Sequence, residues 1–324
     1  MPRQAPLAAL ALLAPLALLA QPARPNPRVA DRVHLAIALL AIMVAVAAQP
    51  AAAALSVVDD SGQTVSLPRP AQRIVALAPH ITEQLFAIGV GERIVGTTEY
   101  ADFPPAAQAI PRVGRAHSLD LERISAAAPD LIVVWGSGFP PALVDALRRL
   151  RVPVYINEPG ALESVATSLE RLGTLTAAPR ATAAASDFRA RLAELRGRYA
   201  GRSEVRVFYQ VWSQPLMTLG RPHVLTEAIV ACGGRNVFGT LAPIAPHVST
   251  EAVLAAAPQL IATAEADAKP SAALDMWRRF ATLPAVRNEL LVTLDGNKIN
   301  RHSPRMLDEI AVLCEHIERA RKKG

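Results

Sequence analysis

Hydrophobic and polar positions change their rhythm along the chain. Residues 1–54 are an almost unbroken run of Ala, Leu, Val and Pro, while from residue 55 onward apolar stretches are short and separated by polar turns. Residues 55–68 (LSVVDDSGQTVSLP) alternate about Asp60-Ser61-Gly62 and predict a small β-hairpin. Residues 73–77 form a short apolar strand before Pro79, and 81–88 carry helical spacing that stops at Gly89. Strands follow at 95–97, 131–135 and 152–156, with a helix at 142–150. Buried-looking strands that alternate with helices predict a parallel sheet covered on both faces.

Residues 179–201 differ. Pro179 opens the stretch and Gly201 closes it, and Phe188, Leu192, Leu195 and Tyr199 share one helical face. About 22 residues at 1.5 Å each give a rod of roughly 33 Å, long enough to cross between two lobes. The alternation then restarts: strands at 205–209, 260–263 and 290–294, a helix at 225–231 ending at Gly233-Gly234, and a terminal helix at 307–320. Trp277, on a helical stretch, is expected to pack in a core.

An internal repeat makes the two halves equivalent. Residues 122–132 read ERISAAAPDLI and 251–261 read EAVLAAAPQLI, an offset of 129. Each copy predicts a short helix entering a buried strand through a Pro turn. The fold class expected is α/β, two Rossmann-like lobes with parallel sheets joined by a single long α-helix. The boundaries expected are 1–54 for a leader, 55–177 and 202–324 for the lobes, and 178–201 for the connection.

Composition narrows the class. The chain has 324 residues, and at roughly 150 per domain that is about two domains. A hydrophobic fraction of 51% excludes a disordered chain, and no apolar run beyond residue 55 approaches the ~20 residues of a membrane span. Without residues 1–54 the formal charge falls from +6 to +3 and no dense basic run is left, so nucleic acid is not an expected partner. Arg28 and Arg32 precede fourteen consecutive apolar residues and then Ala51–Ala54. That order predicts a secretory signal cleaved near Ala54, an uncleaved anchor being the alternative. A second apolar run lies at 7–20, and a translation start near residue 28 would account for it. The two cysteines, Cys232 and Cys314, lie far from the leader, which rules out a lipid-anchored cysteine at the mature N-terminus. They form either one disulfide of an exported protein or two buried thiols.

Enzyme signatures are missing: there is no G-x-S-x-G, no Walker loop, no H-E-x-x-H and no zinc-type Cys/His spacing. His80, His117, His247 and His302 fall at predicted element ends, where α/β sheets line their ligand crevice. They either converge on a metal or cap loops. Aromatics are scarce at 4%, so Tyr100 (in TTEYADFPP), Trp135 at a strand end and Trp212 (in QVWSQPLMT, beside Gln214) stand out. Each either stacks on a flat ligand or packs at a rim. Glu122 and Glu251 occupy matching places in the repeat. They suit a two-fold partner, or they are first-turn glutamates favoured by the helix dipole.

Together, RIVALAPHITEQLFAIG, EYADFPP, LDLERISAAAPDLIV, CGGRNVFG, VSTEAVLAAAPQLI and NRHSPR resemble the periplasmic substrate-binding proteins of ABC importers for cobalamin, haem and iron-siderophores. Within that family the chain is most similar to the cobalamin binders, over about residues 70–320. The resemblance implies two α/β lobes bridged by a helix and a corrinoid held between them, with no chemistry performed, no cofactor and no resident metal. It implies a monomer in the periplasm whose partner is the permease dimer of an inner-membrane ABC importer, docked through Glu122 and Glu251. It further implies a Cys232–Cys314 disulfide and ligand contacts from Tyr100 and Arg301, with Asn297 standing where the family has Asp. Two family tryptophans fall near Ala116 and Ala245, so Trp135 and Trp212 are expected to supply stacking area instead. His80, His117 and His302 are expected near the crevice, with Gln214 as a polar contact. The rival readings are a haem or siderophore binder, with iron on Tyr100 or a crevice histidine, and a metal-handling protein or enzyme built on those histidines.

Overall fold

The chain is described by a computed structural model over residues 54–115, 118–221 and 223–324. The expected leader, apart from Ala54, lies outside the described residues, as does His117.

The predicted hairpin is β1 (Leu55–Val58) paired antiparallel with β2 (Thr64–Leu67). One Asp59 carboxylate oxygen closes its turn by accepting from the Ser61 and Gln63 amides, both at 2.9 Å. The other accepts from the Ile156 amide at 3.1 Å, which docks the hairpin on the first lobe.

That lobe is a parallel sheet of β3 (Ile74–Leu77), β4 (Ile94–Thr97), β7 (Leu131–Trp135) and β8 (Val154–Asn157), in the order β4-β3-β7-β8. A two-residue ladder, β5 (Gly114–Arg115) with β6 (Ser118–Leu119), lies between β4 and β7 in the chain. The second lobe uses β9 (Val205–Tyr209), β12 (Gly234–Asn236), β13 (Leu260–Glu265) and β14 (Leu291–Asp295), parallel in the order β12-β9-β13-β14. A small hairpin, β10 (Trp212–Ser213) and β11 (Leu216–Met217), follows β9. In both sheets the first strand is central, the second goes to one side, and the third and fourth to the other.

The sequence repeat is conformational in detail. Helices Leu121–Ala126 and Thr250–Ala256 lead into β7 and β13. Asp120 caps one by accepting from the Arg123 amide, and Ser249 caps the other by accepting from the Ala252 amide. The chain then leaves each helix through a left-handed alanine, Ala128 at φ 44° and Ala257 at φ 45°.

The sheets alternate sides with period two. Ile74 and Ala76 of β3 face a central core, while Val75 and Leu77 face a second one under the first lobe. Val205, Val207 and Tyr209 join the central core, and Phe208 packs with Trp277 in a third. Trp277 is fully buried, as expected of a packing residue.

The central core is continuous across both lobes because of the long helix, Ala181–Tyr199, which buries Phe188, Leu192, Leu195 and Tyr199. One element between 157 and 178 was not expected: a second helix, Leu162–Thr176, packs along the first. Gly173 lets them approach, since a Cβ there would stand 2.2 Å from that of Ala181. Arg189 fastens the pair, donating to Glu170 at 2.5 and 2.9 Å and also pairing with Glu163. A second difference lies at Gly233-Gly234. The helix Val224–Ala231 stops earlier, Gly233 turns at φ 71°, and Gly234 begins the edge strand β12. Cys232 and Cys314 are joined in a disulfide with Cα atoms 4.7 Å apart, tying the end of Val224–Ala231 to the terminal helix Met306–Lys323.

Candidate functional site

The carboxyl ends of the two sheets meet at a cleft, the position where open α/β sheets hold ligands. Trp135, the last residue of β7, forms one wall; Tyr209, Gln210, Val211 and His223 form the other, with Asn300 and His302 completing a cavity of about 240 Å³.

Behind the lining residues Trp135 and His302 lies an aromatic cluster completed by the buried His80. His80, at the second position of helix Pro79–Ala87, stands edge-on to Trp135 with ring centroids 5.5 Å apart at 90°, and His302 lies 5.5 Å from His80 at 52°. Trp135 is held from two sides. Its Nε1 donates to Glu158 at 3.3 Å, and Gly138 lies so close beneath the ring that a Cβ there would meet it at 2.4 Å. Asn157 donates its Nδ2 to Ser168 at 3.0 Å, which leaves its Oδ1 to accept from His80 Nε2 at 3.0 Å. The network thereby assigns the Nε2 proton to His80.

These imidazoles are neutral at ordinary pH. Burial, reinforced by the neighbouring His302, pulls His80 down to about 3. Burial, then His223, pulls His302 to about 4, and burial alone brings His223 to about 4. His302 Nδ1 is buried without a hydrogen-bond partner. His223 caps helix Val224–Ala231, its Nδ1 accepting from the Leu225 amide at 3.1 Å. The cleft therefore combines apolar surface from Trp135, Val211, Leu219, Leu225 and Ala264 with uncharged polar groups from Tyr209, Gln210, His223, Asn300 and His302.

The other expected residues divide into groups. Tyr100, at φ 66° on the loop after β4, is 75% exposed, and Trp212 is 62% exposed on β10. Gln214 is exposed in the β10–β11 turn, where its carbonyl accepts from Trp212 Nε1 at 2.9 Å and pins the indole. Arg301 and Asn297 meet each other at 3.1 Å, but Arg301 is buried and its guanidinium already holds Glu83 and Asp102. Asn297 also donates to Asp267 at 3.1 Å. Glu122 and Glu251 are exposed in the first turns of the two repeat helices.

A convergence of His80, His247 and His302 is not formed. His80 and His302 come together, but His247 is exposed in a bridge to Met217. Among the described residues no group of three or more His, Cys, Asp and Glu is placed to hold a metal ion. The sequence reading overlooked Tyr209, Gln210, His223 and Asn300. Tyr209 ends the expected strand at 205–209 and Gln210 follows it, so the strand-end rule points to both. His223 was hidden by its place at a helix start.

Twin parallel lobes, a bridging helix and a cleft between strand ends define a protein that holds a small molecule between two domains. The chain belongs to the periplasmic binding protein family, whose profile matches residues 74–297. It is 38% identical over 258 residues to the vitamin B12-binding protein of Vibrio cholerae serotype O1, covering 79% of this chain and 92% of that one. A counterpart of the same description in Yersinia pestis is 31% identical over 248 residues, covering 76% and 86%. The crystal structure of the periplasmic vitamin B12 binding protein BtuF of Vibrio cholerae superposes with a TM-score of 0.71 over 78% of this chain and 99% of that one. The haem-binding RhuT of Roseiflexus sp. RS-1, at 24% identity, shares the fold with a TM-score of 0.68, covering 77% and 99%.

Proposed function

We propose that this chain is a periplasmic receptor that captures cobalamin or a related corrinoid between its lobes and delivers it to an ABC importer. The observation that carries this is the cleft itself: an uncharged surface of Trp135 and His302 backed by the buried His80, with two strongly exposed aromatics, Tyr100 and Trp212, outside it. A flat, largely apolar macrocycle is the ligand such a surface suits, with a few polar groups to orient it. The 38% identity to a vitamin B12-binding protein supports the same choice. A cavity of about 240 Å³ is smaller than a corrinoid, so most of the ligand is held above the floor, against the exposed rim. No bond is made or broken in this role. Export through the N-terminal leader, a monomeric state and docking of a permease dimer on Glu122 and Glu251 belong to the same proposal.

Isothermal titration of the mature protein with cyanocobalamin, hemin and a ferric siderophore tests it. Corrinoid binding in the micromolar range or tighter is expected, and its absence overturns the assignment. Haem is the second reading, favoured by the neutral His302 imidazole in the cleft and by Tyr100 outside it. A Soret shift on adding hemin that is lost in Tyr100→Phe or His302→Ala would move the assignment there.

A further inference from the structure

One helix of the first lobe and one loop of the second are joined by buried charges. Glu83, on Pro79–Ala87, is 4% exposed. Its carboxylate accepts from Arg301 at 3.0 Å, from Arg305 at 2.6 and 3.1 Å and from the Ser303 hydroxyl at 2.5 Å. The next residue, Gln84, donates to the His302 carbonyl at 2.6 Å. Arg301 also reaches Asp102 at 2.5 Å, two residues from Tyr100 on the same loop, and Arg305 lies over the Phe103 ring at 3.6 Å.

Two carboxylates and two guanidiniums make a quartet of zero net charge. Taking Glu83 and Arg301 out of water is costly, and they stay buried only while their partners are present. With Glu83 neutral, Arg301 and Arg305 would share only Asp102, which is half-exposed. The 301–305 segment contributes His302 to the cleft, with Asn300 adjacent, and the other end of the ionic chain holds the loop of Tyr100.

We infer that Glu83 is a positioning residue: a latch across the lobes that fixes the width of the cleft and, through it, the rate at which the ligand leaves. The second clause rests on the corrinoid reading; the first does not. Two measurements separate them. Hydrogen exchange on the ligand-free protein should show the Ser303 and Met306 amides opening at least about tenfold faster in Glu83→Gln than in wild type, with β3 and β9 unchanged. Stopped-flow release of cyanocobalamin should quicken by about tenfold with little change in association rate, as loss of a buried charge partner acts on dissociation. Glu83→Asp, which keeps the charge, should restore both in large part. Should Glu83→Gln fail to fold, Arg305→Gln removes one arm and should give an intermediate rise in exchange. Unchanged exchange at 303 and 306, or a rise spread evenly over both lobes, overturns the latch. Failure of wild type to bind cyanocobalamin overturns the corrinoid reading and leaves the exchange result to decide the latch alone.

Discussion

Acid should loosen this fold through His80 in a measurable way. The folded protein holds the imidazole down to about 3, chiefly by burial, against the usual 6.5. Between those values an unfolded chain takes up a proton that the folded chain refuses. The stabilisation is therefore complete above about pH 6.5 and declines as the pH falls toward the folded value. For one site with these two values, the loss from pH 7 to pH 5 is about 2 kcal/mol. His302 and His223, both pulled to about 4, add losses of the same sign, so the total does not isolate His80. A difference does. His80→Gln keeps an N–H for the Asn157 carbonyl oxygen and has nothing to titrate. Urea unfolding followed by circular dichroism at pH 7 and pH 5 should show wild type losing about 2 kcal/mol more than the variant over that interval. Equal losses in the two proteins would mean that His80 is solvated or charged in the fold, and the account of an uncharged cleft floor would be wrong.

Two further outcomes are expected. Replacing both cysteines by alanine frees a loop with a sequence separation of 82, which in the chain-entropy treatment costs about 4–5 kcal/mol. A loss of unfolding free energy in urea of less than about 1 kcal/mol would show that the packed terminal helix already restrains that loop. Glu122→Lys combined with Glu251→Lys should abolish corrinoid uptake by cells while calorimetry finds the affinity unchanged. A weakened affinity would place these exposed carboxylates in the service of the pocket or the fold and not of a permease.

Much of the architecture was legible because it is written twice. The offset of 129 residues aligns not only the Glu, Ala and Pro letters but also the caps Asp120 and Ser249 and the left-handed Ala128 and Ala257. Two local programmes that agree to single residues fold into sheets of the same strand order. The helix Leu162–Thr176 escaped notice for a physical reason. Its buried face mixes Leu162, Val165, Leu169, Leu172 and Leu175 with Ala166, Ser168, Gly173 and Thr176, so small and polar residues blur the apolar stripe. Gly173 lets the long helix press close, and Ser168 partners Asn157. The pattern makes sense only once Ala181 is known to lie against Gly173.

The site divides along the same line. The places of Trp135 at a strand end and of His80 at an element's end were visible, because both follow from local position. Arg301, which the family resemblance makes a ligand contact, has its guanidinium bound to a carboxylate 218 positions earlier. Glu83 showed no signal at all, since a glutamate in an apolar helix is ordinarily a solvated face. Pairing across that distance is a property of the closed chain, and it changes what Arg301 does. A guanidinium held by Glu83, Asp102 and Asn297 commits three of its five N–H donors within the protein, so its influence on binding should run largely through the placement of Tyr100 and His302. Removal of Arg301 and removal of Glu83 should then weaken retention in the same way, whereas a direct ligand contact by Arg301 would make its loss the more severe of the two.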